Sequence, residues 1–384
     1  MKDSPFIYGT TVSNSSFTNR KSETAKLRSN LLSGINTMII SPRRWGKSSL
    51  VEKVINDIDK KNKGIKTVII DLFSVSSEEE FLETFAREVI KASSSKWQEW
   101  MSSGKDFFKI LIPKLSIGVE PFTDFSLSFD WKELKKHSDE VLALPETICK
   151  KKGLKIIVCL DEFQNLSSFN DYLNFEKKMR AVWQRQKLVT YCLYGSKRHM
   201  MSDIFNNPSK PFYRFGDIML LSKIESSDWV SFICKSFSDS GKHISEDDAV
   251  NIPQLMKNNS WYVQQLAHYT WNLTQKKATK TEIEVALKEL MYANTPFYQK
   301  LVETISLTQL NLLKAVIKGE TQFMSTAVMQ HYQLGTPRNV SKNKTMLINN
   351  DLVNEVNGVY EFVDPAFELW FNKQYFNISY KIEI

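Results

Sequence analysis

No apolar run in the 384-residue chain approaches the roughly 18 residues needed to span a bilayer, and Met1-Lys2-Asp3-Ser4-Pro5 has no apolar signal core. Both absences predict a soluble, cytoplasmic protein. Cysteine is also sparse: Cys149, Cys159, Cys192 and Cys234 include no C-x-x-C spacing, and two of them fall in predicted buried strands, where a thiol behaves as a small hydrophobe. Neither zinc nor a disulfide framework is indicated. Internal repeats and low-complexity tracts are absent as well. What remains is 42% apolar and 12% aromatic residues, ample for two or three cored domains in a chain of this length. A net charge of +8 permits a polyanionic partner, although runs such as Lys60-Lys61-Asn62-Lys63 and Lys150-Lys151-Lys152 read equally as solvated loop charge ahead of strands.

From Thr37 to about Leu221 short β-branched runs alternate with longer 3.6-period segments, which predicts a parallel sheet covered by helices on both faces. The expected strands are Thr37 to Ile40, Thr67 to Leu72, Lys155 to Leu160, Val189 to Tyr194 and Asp217 to Leu221. Ser77-Glu78-Glu79-Glu80 reads as a capping box ahead of Phe81, Phe85 and Val89. An insertion from about residue 97 to 137 contains Phe125-Ser126-Leu127-Ser128-Phe129, whose alternation suggests one strand of a hairpin. Beyond Ile224 the strand signals stop and helical patterns run to about Thr304. From Ser306 three helices (Leu307 to Lys318, Ser325 to Tyr332, Thr336 to Asn349) precede a hairpin turning at Asn357-Gly358, the order of a winged helix-turn-helix. The expected division is therefore a core over 1–223, a helical lid over 224–304 and a winged helix over 305–384.

The chemistry centres on Ser41-Pro42-Arg43-Arg44-Trp45-Gly46-Lys47-Ser48-Ser49, placed between an apolar strand and a periodic helix. Strand, loop and helix start together aim backbone N–H groups and the helix dipole at one anion, the arrangement of a phosphate-binding loop. Lys47 would reach the β- and γ-phosphates of ATP, and Ser48 would hold Mg²⁺. The usual first glycine of that motif is Ser41, which would cost about 1–2 kcal/mol if the position required φ > 0. Lys155 to Leu160 then ends in Asp161-Glu162, two carboxylates at the carboxyl end of a buried strand, where open α/β sheets bind ligands. Asp161 suits the metal, directly or through water, and Glu162 suits the deprotonation of attacking water.

Three further features carry alternative readings. Ser196, after the next strand, is either a γ-phosphate sensor or the cap of a helix from Lys197. Arg214, within Pro211-Phe212-Tyr213-Arg214-Phe215-Gly216, either stabilises γ-phosphate charge in its own or a neighbouring subunit or forms a surface ion pair. The third winged-helix helix carries Arg338, Asn339, Lys342, Asn343 and Lys344, residue types that contact duplex DNA, yet from Lys300 to Ile384 eight basic side chains meet eight acidic ones. A protein-docking or autoinhibitory module fits that balance as well. No Asn/Thr-Lys-x-Asp element is present to read guanine, so adenine is the expected base.

The chain resembles the archaeal-type ATPase family, a branch of the STAND and AAA+-like P-loop ATPases, over nearly its whole length. The resemblance is carried by Phe17-Thr18-Asn19-Arg20-Lys21-Ser22-Glu23 with Leu27, Ser41 to Ser48, Leu160-Asp161-Glu162-Phe163-Gln164, Tyr194-Gly195-Ser196, Phe212-Tyr213-Arg214 and Asp364-Pro365-Ala366-Phe367-Glu368-Leu369-Trp370-Phe371. It implies an α/β, ASCE-type P-loop NTPase sheet of order 5-1-4-3-2, a lid over the nucleotide, a C-terminal winged helix, and Phe17 to Leu27 near the adenine. Asn258-Asn259-Ser260 precedes Trp261-Tyr262 where the family often has a proline, a departure that bears on nucleotide sensing by the lid. The expected function is a slow, Mg²⁺-dependent ATPase acting as a conformational switch on or near DNA. The rival is a signalling or assembly module with a protein partner and nucleotide-dependent homo-oligomerisation. No nuclease domain is expected.

Overall fold

The computed structural model describes residues 3–10, 18–93, 117–118, 128–129, 137–356 and 358–378. They divide into two compact units, Arg20–Ser222 and Met1–Asn19 with Lys223–Ile384.

The first unit is built on five parallel strands: β1 Thr37–Ile40, β2 Ile65–Asp71, β3 Lys155–Asp161, β4 Val189–Gly195 and β5 Asp217–Leu220, in spatial order β2-β3-β4-β1-β5. Read from the other edge this is the expected 5-1-4-3-2. The helices are α1 Lys21–Leu32, α2 Lys47–Lys61, α3 Glu78–Ser93, α4 Ser138–Lys152, α5 Tyr172–Trp183 and α6 Arg198–Asn206. The central strands β1 and β4 are buried throughout, as continuous apolar runs demand when both faces are covered. At the edges Ile69 on β2 and Leu220 on β5 remain exposed. Register fixes the working end: Leu160 pairs with Leu193 and Ile40 with Gly195, so β1, β3 and β4 finish side by side.

Local sequence details differ modestly from expectation. At the start of α3 the Glu80 N–H donates to Ser77 Oγ as a cap, but the Glu80 carboxylate accepts from the N–H and hydroxyl of Ser76, one residue earlier than a capping box requires. Ile117–Gly118 pairs antiparallel with Ser128–Phe129, while most of the Phe125 to Phe129 segment lies outside the described residues.

The second unit contains α7 Ser226–Asp239, α8 Ser260–Leu273, α9 Lys280–Glu303, α10 Leu307–Ile317, α11 Thr326–His331, α12 Pro337–Asn349, the antiparallel hairpin β6 Val353–Val356 with β7 Val359–Phe362, and α13 Pro365–Phe376. Strands do not stop entirely after Ile224: His243–Ile244 and Lys277–Ala278 form a short parallel pair. Ser306, Ser325 and Thr336 cap α10, α11 and α12, each accepting a backbone N–H three residues on. One core runs through this unit, from Phe6, Trp229 and Ile233 through Leu266 and Leu290 to Leu313, Leu347 and Phe371.

The closing Asp-Pro-x-Phe-x-x-Trp element explains that continuity. Asp364 caps α13 through Phe367 N–H at 2.9 Å, and its second oxygen accepts from Tyr298 Oη at 3.2 Å. The Tyr298 ring lies 5.1 Å from Phe367 and 5.6 Å from Trp370. Tyr298 belongs to α9, whose 24 residues end at Glu303 with Thr304 as the cap and carry Pro296 within the helix. Among the described residues no helix is long and apolar enough to cross a membrane.

Candidate nucleotide site

The phosphate loop leaves β1 at Ser41, which is fully buried and donates its hydroxyl to Pro42 O at 3.0 Å. The left-handed positions of the loop are Arg44 (φ 66°) and Gly46 (φ 87°), not Ser41, so the replaced first glycine carries no backbone penalty. Gly46 leads directly into α2, placing Lys47 at the first helical position. The loop is braced from behind by Arg20, whose guanidinium is buried, donates to Trp45 O at 2.8 Å and pairs with Glu23 at 2.9 Å.

Lys47 lies over the end of β4, its ammonium 5.3 Å from the Tyr194 ring centre, and reaches Asp161 Oδ1 at 3.1 Å and Glu162 Oε1 at 3.7 Å. The Ser48 hydroxyl donates to Asp161 Oδ2 at 2.8 Å. Glu162 turns off β3 with φ 51°, and its Oε2 accepts from Gln164 Nε2, from Ser196 Oγ at 2.9 Å and from Ser196 N–H at 3.3 Å. Arg43 Nε donates to Ser196 Oγ at 3.2 Å. Three strand ends and one loop thus converge on a few ångströms.

The two adjacent carboxyls are tuned in opposite directions. Burial pushes Asp161 up, and the Lys47 charge and Ser48 hydroxyl only partly offset it. Burial also acts on Glu162, but Lys47 and the donors from Gln164 and Ser196 outweigh it and hold that carboxyl below its ordinary range. Helix α6 begins at Arg198 with no side-chain cap, so Ser196 is not the capping serine of the alternative reading; its hydroxyl belongs to the Glu162 cluster.

Arg214 stands apart. Phe212 and Phe215 of its segment point into the core, where Phe212 meets Phe163 edge-on at 5.2 Å, while Arg214 is exposed with its guanidinium 5.3 Å from the neighbouring Tyr213 ring. On α12, Arg338, Asn339 and Lys342 are exposed, whereas Asn343 donates to Thr308 on α10 at 3.1 Å and Lys344 lies 4.7 Å from the Tyr360 ring on β7. Phe17 lies outside the described residues, and Tyr8 packs on Trp261 and His268 of α8.

The fold and its converging strand ends define a P-loop NTPase joined to a C-terminal winged helix. Residues 45–171 match the KAP family P-loop domain and residues 296–373 match a probable winged helix domain. Among solved structures, the Walker-type ATPase PABY2304 of Pyrococcus abyssi is similar at 15% identity and TM-score 0.67, over 97% of this chain and 99% of that one. The Aeropyrum pernix ORC2 protein is similar in its ADPNP-ADP complexes (12% identity, TM-score 0.56, 92% of this chain and 93% of that one). Its ADP form aligns at 13% identity and TM-score 0.54 over 96% of each chain. At these identities the likeness is one of fold. No curated protein matches the chain in sequence.

Arg20 and Gln164 are the site residues whose roles sequence reasoning missed. Both occur in the motif segments, but nothing in their spacing tells that Arg20 braces the loop carbonyl or that Gln164 folds back onto Glu162.

Proposed function

We propose that the chain binds ATP with Mg²⁺ between the phosphate loop and the ends of β3 and β4, hydrolyses it slowly, and uses the two nucleotide states as a conformational switch. The observation that carries this reading is the chain of contacts that runs from Ser48 through Asp161, Lys47 and Glu162 to Ser196. A hydroxyl and a carboxylate 2.8 Å apart suit a hard cation that completes its shell with phosphate oxygens and water. Ser48 and Asp161 would hold Mg²⁺, which would neutralise charge on the β- and γ-phosphates.

Lys47 would exchange its carboxylate partners for the phosphate oxygens. Glu162, ionised and adjoining Lys47 and Ser196, would orient the attacking water and take its proton. Ser196 and Arg43 would report the γ-phosphate to the Glu162 cluster, and Arg43, Arg44, Trp45, Gly46 and Ser49 would line the cradle. Arg214, facing solvent, fits the γ-phosphate of a neighbouring copy better than its own. The ORC2 protein's ADPNP and ADP complexes support an adenine nucleotide.

For the output, Arg338 and Lys342 lie one helical turn apart on the exposed face of α12, a spacing suited to duplex DNA. One observation favours a protein partner in place of DNA: Asn343 and Lys344 are engaged inside the domain, and the winged-helix segment is neutral. Turnover of Mg·ATP measured with and without duplex DNA, over a range of protein concentrations, separates the two. DNA stimulation that fades steeply with salt supports the first, and turnover that follows protein concentration alone supports the second. An absence of heat on titrating Mg·ATP into the protein removes both.

A further inference from the structure

We propose that Gln164 is a positioning residue that aims the Glu162 carboxylate, and that position 195 is glycine because only a residue without a side chain admits the Gln164 carboxamide. The inference rests on the reading of Glu162 as the water-activating group. Glu162 needs such help, because it sits at φ 51° on a turn outside the strand, where backbone alone does not fix its side chain. Its Oε2 is held by three donors, Gln164 Nε2 and the Ser196 hydroxyl and N–H, while Oε1 is turned toward Lys47 at 3.7 Å. One oxygen is anchored, and the other faces the phosphate loop.

Gln164 is 1% exposed, and its own acceptor, Oε1, has no hydrogen-bond partner among the described residues. A purely packing role would be served better by an apolar side chain of the same length, since a buried carbonyl without a donor is unfavourable. The donor to Glu162 is what the amide adds. A Cβ at residue 195 would stand 1.9 Å from Gln164 Oε1, 3.1 Å from its Cδ and 2.7 Å from Met201 Sδ, so any side chain there displaces the carboxamide. Being neutral at every pH, an amide fixes the carboxylate without offering it a proton and without drawing a cation away from Asp161.

The test uses the full chain and the variants Gln164→Met, Gly195→Ala and the two combined. Gln164→Met keeps length and packing but lacks the donor; its kcat for Mg·ATP should fall about 10- to 100-fold with KM within about two-fold and the melting temperature unchanged. Gly195→Ala should show the same split, and the double variant should be no slower than Gly195→Ala alone, because both changes remove one contact. Full kcat in Gln164→Met, a parallel change in KM, or additive losses would overturn the proposal. A second readout is independent of turnover. The side-chain amide resonances of Gln164, assigned by their disappearance in Gln164→Met, should be protected from exchange and should move in Glu162→Ala. Resonances that ignore Glu162→Ala overturn the proposal whether or not ATP is hydrolysed, whereas resonances that move in a protein without turnover leave the positioning intact and remove only the hydrolytic reading.

Discussion

Glu176 offers a quantitative check on the core of the nucleotide-binding unit. It lies on α5 between Phe175 and Met179, is fully buried, and neither carboxylate oxygen has a hydrogen-bond partner among the described residues. Burial raises its pKa from 4.5 to about 7; the Lys210 charge opposes the rise and Asp203 adds to it. In the unfolded chain the group ionises near its ordinary value, so between those two pH values the folded state binds more protons than the unfolded one. Stability therefore falls as pH rises through that window and levels off above it. At about 1.4 kcal/mol per unit, the loss is roughly 3 kcal/mol at pH 8 and under about 1 kcal/mol at pH 5. Glu176→Gln removes the ionisation and keeps the shape. Calorimetric melts should show the variant gaining on the parent by about 5–10 °C more at pH 8 than at pH 5, in the transition that Mg·ATP shifts. An identical pH response in parent and variant would refute an isolated, buried carboxyl at this position.

Lys47→Ala should abolish ATP binding by calorimetry while leaving the fold intact, because Lys47 is the loop's ammonium poised between Asp161 and Glu162. Glu162→Gln should retain ATP affinity and lose turnover by about 100-fold or more, as expected for removal of a general base; turnover at the normal rate would refute that assignment. Arg338→Ala with Lys342→Ala should weaken DNA binding and flatten its salt dependence by about two units of slope, while Lys344→Ala should act chiefly through stability, since its ammonium rests on Tyr360. Equal effects of all three on the salt slope would show that Lys344 reaches the phosphates as well.

The parallel sheet was legible because β-branched runs and periodic helices alternate strictly, and the phosphate loop and the Asp161-Glu162 pair each marked a strand end; the strand order came from the family resemblance, because alternation alone does not fix which strands lie side by side. The winged helix was legible as three periodic helices followed by a hairpin at Asn357-Gly358, with starts within about a residue of those that Ser306, Ser325 and Thr336 cap. What escaped depends on contacts distant in sequence. Whether Ser196 capped a helix or met a carboxylate turned on Glu162, 34 residues away, and no local pattern decides that. Asn343 and Lys344 have the composition of a recognition helix, but their neighbours on α10 and β7 draw them inward. Glu176 could have been found: the 3.6-residue spacing from Phe175 and Met179 to Trp183 already places it on the buried side of α5.

The long helix α9 acts as a girder. At 24 residues it is about 36 Å in length, packing on α8 toward one end and holding Asp364, Phe367 and Trp370 through Tyr298 toward the other. Pro296 leaves that shaft one backbone hydrogen bond short, two residues before Tyr298, so the girder has a built-in joint between the stretch that rests on α8 and the end that grips α13.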